Sequence, residues 1–262
     1  MSDPTHAPTL APADPAARAA DALLAARREH TRLAALPPGT APQDRDAAYA
    51  IQRLVAERLG NVAGWKVGAA TPTAEPFLAP LHATTIRPAG ARIDASGLHR
   101  IGVEAELVYT LAHDLPPRPQ PYTRAEMLAA VAGLHPALEL IDSRFAELAA
   151  TAPLTQLADQ QNHGALIVGD GVPDWHGIDA ATAEVRLSLD GTVRAEGPGG
   201  NSAGDPVRLL VWLANVGSRP WGGLRAGQAV TTGSCTGTIF VERGTRVAVS
   251  FAGLGGFASL IA

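Results

Sequence analysis

The sequence predicts an α+β protein with a small N-terminal helical region and a larger β-rich body. Three observations carry this. Before residue 60 the chain is rich in Ala, Leu and Arg at helical spacing. From Gly64 onward it changes to short β-branched segments punctuated by Gly, Pro, Asp and Asn. The regular alternation of strand and helix that a doubly wound sheet requires is missing.

Residues 14–30 (DPAARAADALLAARREH) suit a helix, with Arg at its end complementing the helix dipole. Residues 43–59 repeat Ala47, Ile51, Leu54 and Val55 at helical spacing and stop at Gly60, a natural C-cap. Strands are expected at 63–68, 102–111, 136–143, 165–169, 184–190, 228–232, 245–252 and 257–261. A helix is expected at 123–133, opened by Thr123 with Glu126 three residues on. Another is expected at 206–216, opened by Asp205-Pro206. The resulting division is a disordered N-terminus (1–12), a helical region (13–60) and a β-rich domain (61–262).

Hydrophobic residues make up 46% and charged residues 18% of the 262, near the globular average. The net charge of −4 is spread along the chain and provides no basic stripe for nucleic-acid phosphates. Cys235 is the single cysteine, which excludes an intramolecular disulfide or a cysteine-based cluster and suits a reducing compartment. The first 20 residues lack the pattern of a signal peptide, and the apolar run 205–217 carries Asp205 and Arg208. A cytoplasmic protein is expected, with neither nucleic acid nor membrane as partner.

Within 102–111 (GVEAELVYTL) the period of a strand puts Glu104 and Glu106 on one face. Two like charges there call for water or for a bridging cation, and a bare E-x-E is more often a solvated face. Glu139 lies among Leu138, Leu140 and Ile141, where an unpaired charge is costly to bury. Three carboxylates from two strands would make a hard, all-oxygen site suited to Mg²⁺ or Mn²⁺, with open positions for a chelating substrate. Lys66, between Trp65 and Val67, is either an ion-pair partner or a functional amine.

Seven segments then occur in a telling order: GWKVGAATP (64–72), VEAELVYTL (103–111), HPALELIDSRF (135–145), LADQQNHGALIVG (157–169), GDPVRLLVWLAN (204–215), GQAVTTGSCTG (227–237) and GTRVAVSFAGLGGF (244–257). In that order they resemble the 2-keto-4-pentenoate (2-hydroxypenta-2,4-dienoate) hydratases and 4-oxalocrotonate decarboxylases of the fumarylacetoacetate hydrolase superfamily. The resemblance runs from about residue 40 to the end. It implies a mixed β-sandwich or roll with flanking helices, Glu104, Glu106 and Glu139 as metal ligands, and Lys66 as the family lysine. It also implies a homo-oligomer and a metal-dependent hydro-lyase of aromatic-compound catabolism that adds water to a 2-hydroxydienoate to give a 4-hydroxy-2-keto acid. A 4-oxalocrotonate-type decarboxylase or an acylpyruvate C–C hydrolase is the alternative, and a non-catalytic assembly subunit is a third.

The chain departs from the family pattern in two places. Where relatives carry an acidic catalytic residue after the lysine strand, the nearest acid here is Glu75. The family run Ala-Asp-Asn-Ala-Ser appears as Ala158-Asp159-Gln160-Gln161-Asn162 followed by His163. Glu75 and His163 join Lys66 as catalytic candidates, with Arg144, Asp159, Gln161, Ser234 and Thr236 as candidate substrate contacts. A C–C hydrolase would want a His–Glu pair in the helical region, for which Glu29 and His30 are the candidates. GNSAG (200–204) spells a nucleophile elbow but follows a Gly-Pro-Gly-Gly loop instead of a strand. GSCTG (233–237) reads as a tight turn, not a thiol nucleophile.

Overall fold

The structure is a computed structural model that describes residues 14–262. The expected disordered segment 1–12 lies outside the described residues. The chain runs α1 (Pro15–Glu29), α2 (Arg45–Leu59), β1 (Val62–Gly68), β2 (Phe77–His82), β3 (Ile86–Pro88), β4 (Arg92–Ile93), β5 (Ile101–Leu111) and α3 (Arg124–Ala129). It continues with β6 (Val131–Ile141), α4 (Pro153–Ala158), β7 (His163–Val168), β8 (Glu184–Leu189), β9 (Thr192–Pro198) and α5 (Pro206–Trp212). The last strands are β10 (Ala229–Ser234), β11 (Ile239–Val241), β12 (Arg246–Phe251) and β13 (Gly255–Ile261).

Each N-terminal helix starts at an aspartate whose side chain accepts a backbone N–H of the first turn, Asp14 from Ala16 and Asp44 from Ala47. The two helices bury Ala19, Ala20 and Leu23 against Ala48, Ile51 and Val55, and Phe145 and Leu157 complete that cluster. The helical region is therefore packed onto the body through shared apolar side chains.

The body has two sheets. The larger has eight strands in the order β2-β1-β10-β5-β6-β7-β3, with β11 pairing β5, and the smaller has five in the order β4-β13-β12-β8-β9. Alternate residues of β5 (Val103, Ala105, Leu107 and Tyr109) join Trp65 and Val67 with Val185, Leu187, Val247 and Val249 in one apolar core. The other face of β5 carries Glu104, Glu106 and Val108. A smaller cluster of Leu81, Val108, Ala137, Leu166 and Ala229 lies on that side, with Ile86 packed against it. The larger sheet is rolled, since a Cβ at Gly64 on β1 would sit 3.3 Å from Ile86 Cδ1 on the opposite edge strand β3. Among the described residues no helix is long and apolar enough to cross a membrane.

This is the α+β architecture that the sequence predicts, with local corrections. The helix expected at 123–133 ends at Ala129, and Val131 and Gly133, poor helix formers, enter β6 by pairing with Leu111 and Thr110. That strand stops at Ile141, short of 143, because the Asp142 carboxylate turns to accept from the backbone N–H of His99 and to pair with Arg32. The helix expected at 206–216 is α-helical to Trp212 and then widens into a π-turn, Leu213–Gly217. Strand β2 has no sequence forecast because Pro80 interrupts it; as the edge strand of its sheet it tolerates the missing donor.

Candidate metal centre and active site

Antiparallel pairing of β5 with β6 sets Glu104 directly opposite Glu139, and strand alternation adds Glu106 to the same face. One carboxylate oxygen from each of the three lies within 4.8 Å of the others. Glu106 and Glu139 are fully buried and Glu104 is half-buried. Like charges placed directly across an antiparallel pair destabilise it, so the sheet needs compensation at this point. Part of it is Lys66, delivered by β1 two strands away, whose Nζ stands 2.8 Å from Glu139 Oε2. Lys66 also donates to the backbone carbonyl of Gln161 at 3.3 Å.

Hydroxyls supply more. Thr231 on β10 donates to Glu106 Oε2, joined by the Gly233 N–H at 3.3 Å, and Thr238 donates to Glu104. Glu139 Oε1 accepts from His163 Nδ1 at 2.8 Å. Two oxygens stay unsatisfied. Glu106 Oε1 and Glu139 Oε2 are buried without a hydrogen-bond partner among the described residues, and the latter faces the Lys66 ammonium at 2.8 Å as an ion pair.

The titration behaviour follows from this crowding. Burial, and then the charge of Glu139, push the Glu106 carboxyl well above the usual carboxylate range. Burial also acts to raise Glu139, but the Lys66 ammonium and His163 outweigh it and hold this carboxyl below that range. For Lys66, desolvation is outweighed by Glu139, Glu104 and Glu106, and its pKa rises. With all three carboxylates ionised, as a bound cation would require, the one ammonium would leave two negative charges uncompensated. Two buried oxygens without a hydrogen-bond donor, an excess of carboxylates over ammonium and an all-oxygen donor set fit a hard divalent cation.

The remaining candidates separate sharply. Gln161 is the middle of three consecutive left-handed residues, Gln160, Asn162 and itself, with φ of 53°, 60° and 51°. This turn aims its carbonyl at Lys66, and non-glycine residues hold such a conformation only where the surroundings enforce it. Ser234 lies opposite Glu106 across the β10–β5 ladder. His163 is 1% exposed, and its second nitrogen, Nε2, is 2.9 Å from Thr85 Oγ1.

Other candidates have partners within the protein. Arg144 and Asp159, expected to contact substrate, are spent on each other: Arg144 Nε donates to Asp159 Oδ1 at 2.7 Å and its Nη1 to the His163 carbonyl at 3.0 Å. Both are almost fully buried, so their partners are internal. Thr236 accepts from Ala105 N and donates to the Gly237 carbonyl, which fastens its turn to β5. Glu75 is paired with Arg45 at 3.1 Å and its side chain is 69% exposed. It lines a surface cleft with Asp46, Tyr49 and Trp212, outside the carboxylate cluster. Its loop is held from the other side by Ser202, which donates to the Ala69 carbonyl, and by Arg208, which donates to Thr71 and Ala74. Ser202 is thus a structural hydroxyl of the GNSAG loop. Burial pushes the Cys235 thiol up to about 12, which suits a packed side chain and not a nucleophile. Glu29 pairs with Arg28, and His30 ends α1 in a left-handed cap.

Thr85, Thr231 and Thr238 are the site residues that sequence reasoning misses. Thr231 alone falls within a strand that the sequence predicts, 228–232, but nothing in that pattern marks its hydroxyl.

The fumarylacetoacetate (FAA) hydrolase C-terminal family matches residues 49–262. 2-Keto-4-pentenoate hydratase 2 of Dechloromonas aromatica (strain RCB) is 30% identical over 260 residues, covering 94% of this chain and 98% of that protein. 2-Keto-4-pentenoate hydratase of Paraburkholderia xenovorans (strain LB400) is 32% identical over 210 residues, covering 76% and 77%. Among solved structures, 4-oxalocrotonate decarboxylase from Pseudomonas putida G7, complexed with magnesium and adipate, superposes with a TM-score of 0.83 at 23% identity over 94% of this chain and 96% of that one. With its carboxylate face, its rolled sheet and these matches, the chain belongs to the fumarylacetoacetate hydrolase family.

Proposed function

We propose that this chain is a metal-dependent hydratase that adds water to a 2-hydroxydienoate or 2-keto-enoate, giving a 4-hydroxy-2-keto acid in the breakdown of aromatic compounds. The observation that carries the proposal is the convergence of Glu104, Glu106 and Glu139 with two orphaned oxygens beside Lys66. The relatives named as 2-keto-4-pentenoate hydratases support the reaction class over nearly the whole chain. Residues 61–262 form the catalytic domain on this reading.

Glu104, Glu106 and Glu139 would hold Mg²⁺ or Mn²⁺. Bound there, the cation would supply a Lewis acid for the negative charge that the substrate's C2 oxygen carries when the enol loses its proton and again when water adds to the conjugated ketone. The chain's own residues do the rest. Thr231 and Thr238 orient two of the carboxylates. Lys66 carries a mobile proton at Nζ, held in place by Glu139 and the Gln161 carbonyl, and moves it between solvent and a substrate carbon. Val108, Ala137 and Leu166, buried on the same face of the sheet, keep the floor of the site dry, which strengthens every charge interaction above it.

The test is to load the protein with Mg²⁺ or Mn²⁺ and offer 2-hydroxypenta-2,4-dienoate, 4-oxalocrotonate and an acylpyruvate, following ultraviolet absorbance and CO₂. Loss of the dienoate chromophore without CO₂ is expected. Release of CO₂ from 4-oxalocrotonate with the dienoate untouched would replace hydration by decarboxylation.

A further inference from the structure

Resting on that reading of the metal centre, we infer that His163 is a positioning residue: with Thr85 it forms a relay that holds the Glu139 carboxylate in its metal-binding orientation. The ring is enclosed at 1% exposure, and both nitrogens are engaged, Nδ1 with Glu139 Oε1 at 2.8 Å and Nε2 with Thr85 Oγ1 at 2.9 Å. No nitrogen is left to exchange a proton with substrate.

The direction of the relay follows from counting protons. Nδ1 faces an ionised carboxylate and so carries the ring proton. In a neutral imidazole Nε2 is then an acceptor, and the Thr85 hydroxyl must donate to it. Thr85 Oγ1 is also 2.9 Å from the His82 carbonyl, which competes for the same hydroxyl proton. The Glu139 carboxylate therefore selects the tautomer of His163 and Thr85 secures the ring's other nitrogen, in the way that a metal-bound ligand's outer partners fix ligand orientation.

The framework around the relay is rigid. Thr85 immediately precedes β3, whose Ile86 pairs with Leu166 of β7, the strand that His163 opens. Arg144 grips the His163 backbone carbonyl from behind. Glu139 Oε1 is thereby reserved, and Oε2, the oxygen without a directed hydrogen bond, is the one left for a cation. Without the relay nothing fixes Oε1, and the carboxylate is free to rotate about its Cγ–Cδ bond.

The experiment measures Mn²⁺ affinity directly, from the free Mn²⁺ electron paramagnetic resonance signal, for wild type, His163→Leu, His163→Asn and Thr85→Val. His163→Leu is expected to raise the Mn²⁺ Kd by roughly 10–100-fold. His163→Asn, whose amide N–H can stand near the position of Nδ1, is expected to restore most of the affinity. Thr85→Val, nearly isosteric and touching neither Glu139 nor the cation, is expected to weaken binding in the same direction. Wild-type affinity in His163→Leu or in Thr85→Val overturns the relay. So does an Asn variant that binds Mn²⁺ like wild type but has no hydratase activity, since that is the signature of a proton-transfer residue. If the wild type itself binds no Mn²⁺, the metal-centre reading falls and takes the relay with it. If it binds Mn²⁺ and hydrates substrate while all variants keep its affinity, only the relay falls.

Discussion

Glu106→Gln should stabilise the metal-free protein and destabilise the metal-loaded one. The cluster oxygens lie within 4.8 Å of one another, so an ionised Glu106 meets a repulsion of at least ~3.5 kcal/mol from each ionised neighbour at an effective dielectric constant of 20. Burial and this repulsion raise the Glu106 pKa above the ordinary 4.5, which favours its protonated form in the metal-free protein. A carboxyl with a raised folded-state pKa contributes stability that is fully present below the unfolded pKa. That contribution is lost as pH rises toward the folded value, at about 1.4 kcal/mol per pH unit. Glutamine carries no such penalty and can still accept from Thr231 through its amide oxygen. At pH 8 without metal, Glu106→Gln should therefore be more stable than wild type by about 2–4 kcal/mol, or roughly 5–15 °C in Tm for a domain of this size. Mn²⁺ at a thousand times its Kd adds about 4 kcal/mol to wild type and little to a variant lacking one ligand, which inverts the order. Differential scanning calorimetry at pH 5 and pH 8, with and without Mn²⁺, reads all four cases. A metal-free variant no more stable than wild type at pH 8 would refute the charge-frustration argument.

Three further outcomes follow from the geometry. Lys66→Met should reduce turnover by at least about 100-fold, measured as loss of dienoate absorbance, because it removes the proton carrier at Nζ. Arg144→Met should lower stability by about 2–4 kcal/mol in urea unfolding, since it leaves the buried Asp159 carboxylate with only the more distant Arg27, at 3.8 Å, as counter-charge, while KM changes little. Glu75→Gln should leave kcat within about twofold of wild type, because its side chain is largely in solvent and pairs with Arg45.

The carboxylate face is legible in the sequence because a period of two is a strict rule: once 102–111 is a strand, Glu104 and Glu106 must share a side. Glu139 is legible because a charge amid Leu138, Leu140 and Ile141 demands a partner. The register that sets it across from Glu104 is tertiary information, as is the reach of Lys66 over β10. Arg144 and Asp159 show the limit most clearly. An arginine near a site is equally suited to a substrate carboxylate or to a protein one, and only the turn at 159–163 decides which is nearer. The threonines are silent for another reason: Thr is common in strands for its branched Cβ, so Thr231 reads as scaffold, and Thr238 reads as a loop residue, until their hydroxyls are seen on carboxylates. Thr85 meets His163 across 78 residues, beyond any local pattern. Strand β9, half-buried along one edge of its sheet, gave too weak an alternation to be placed.

The left-handed turn at Gln160–Asn162 has a consequence for how such a site can diversify. What Lys66 takes from Gln161 is a main-chain carbonyl, whose direction is written in backbone dihedrals and not in the side chain. The identity of residue 161 is thus decoupled from the charge balance of the centre. Substitutions there can reshape the wall beside the ammonium while the proton carrier and its counter-charges stay in place, and so substrate range can drift at this position without first dismantling the chemistry.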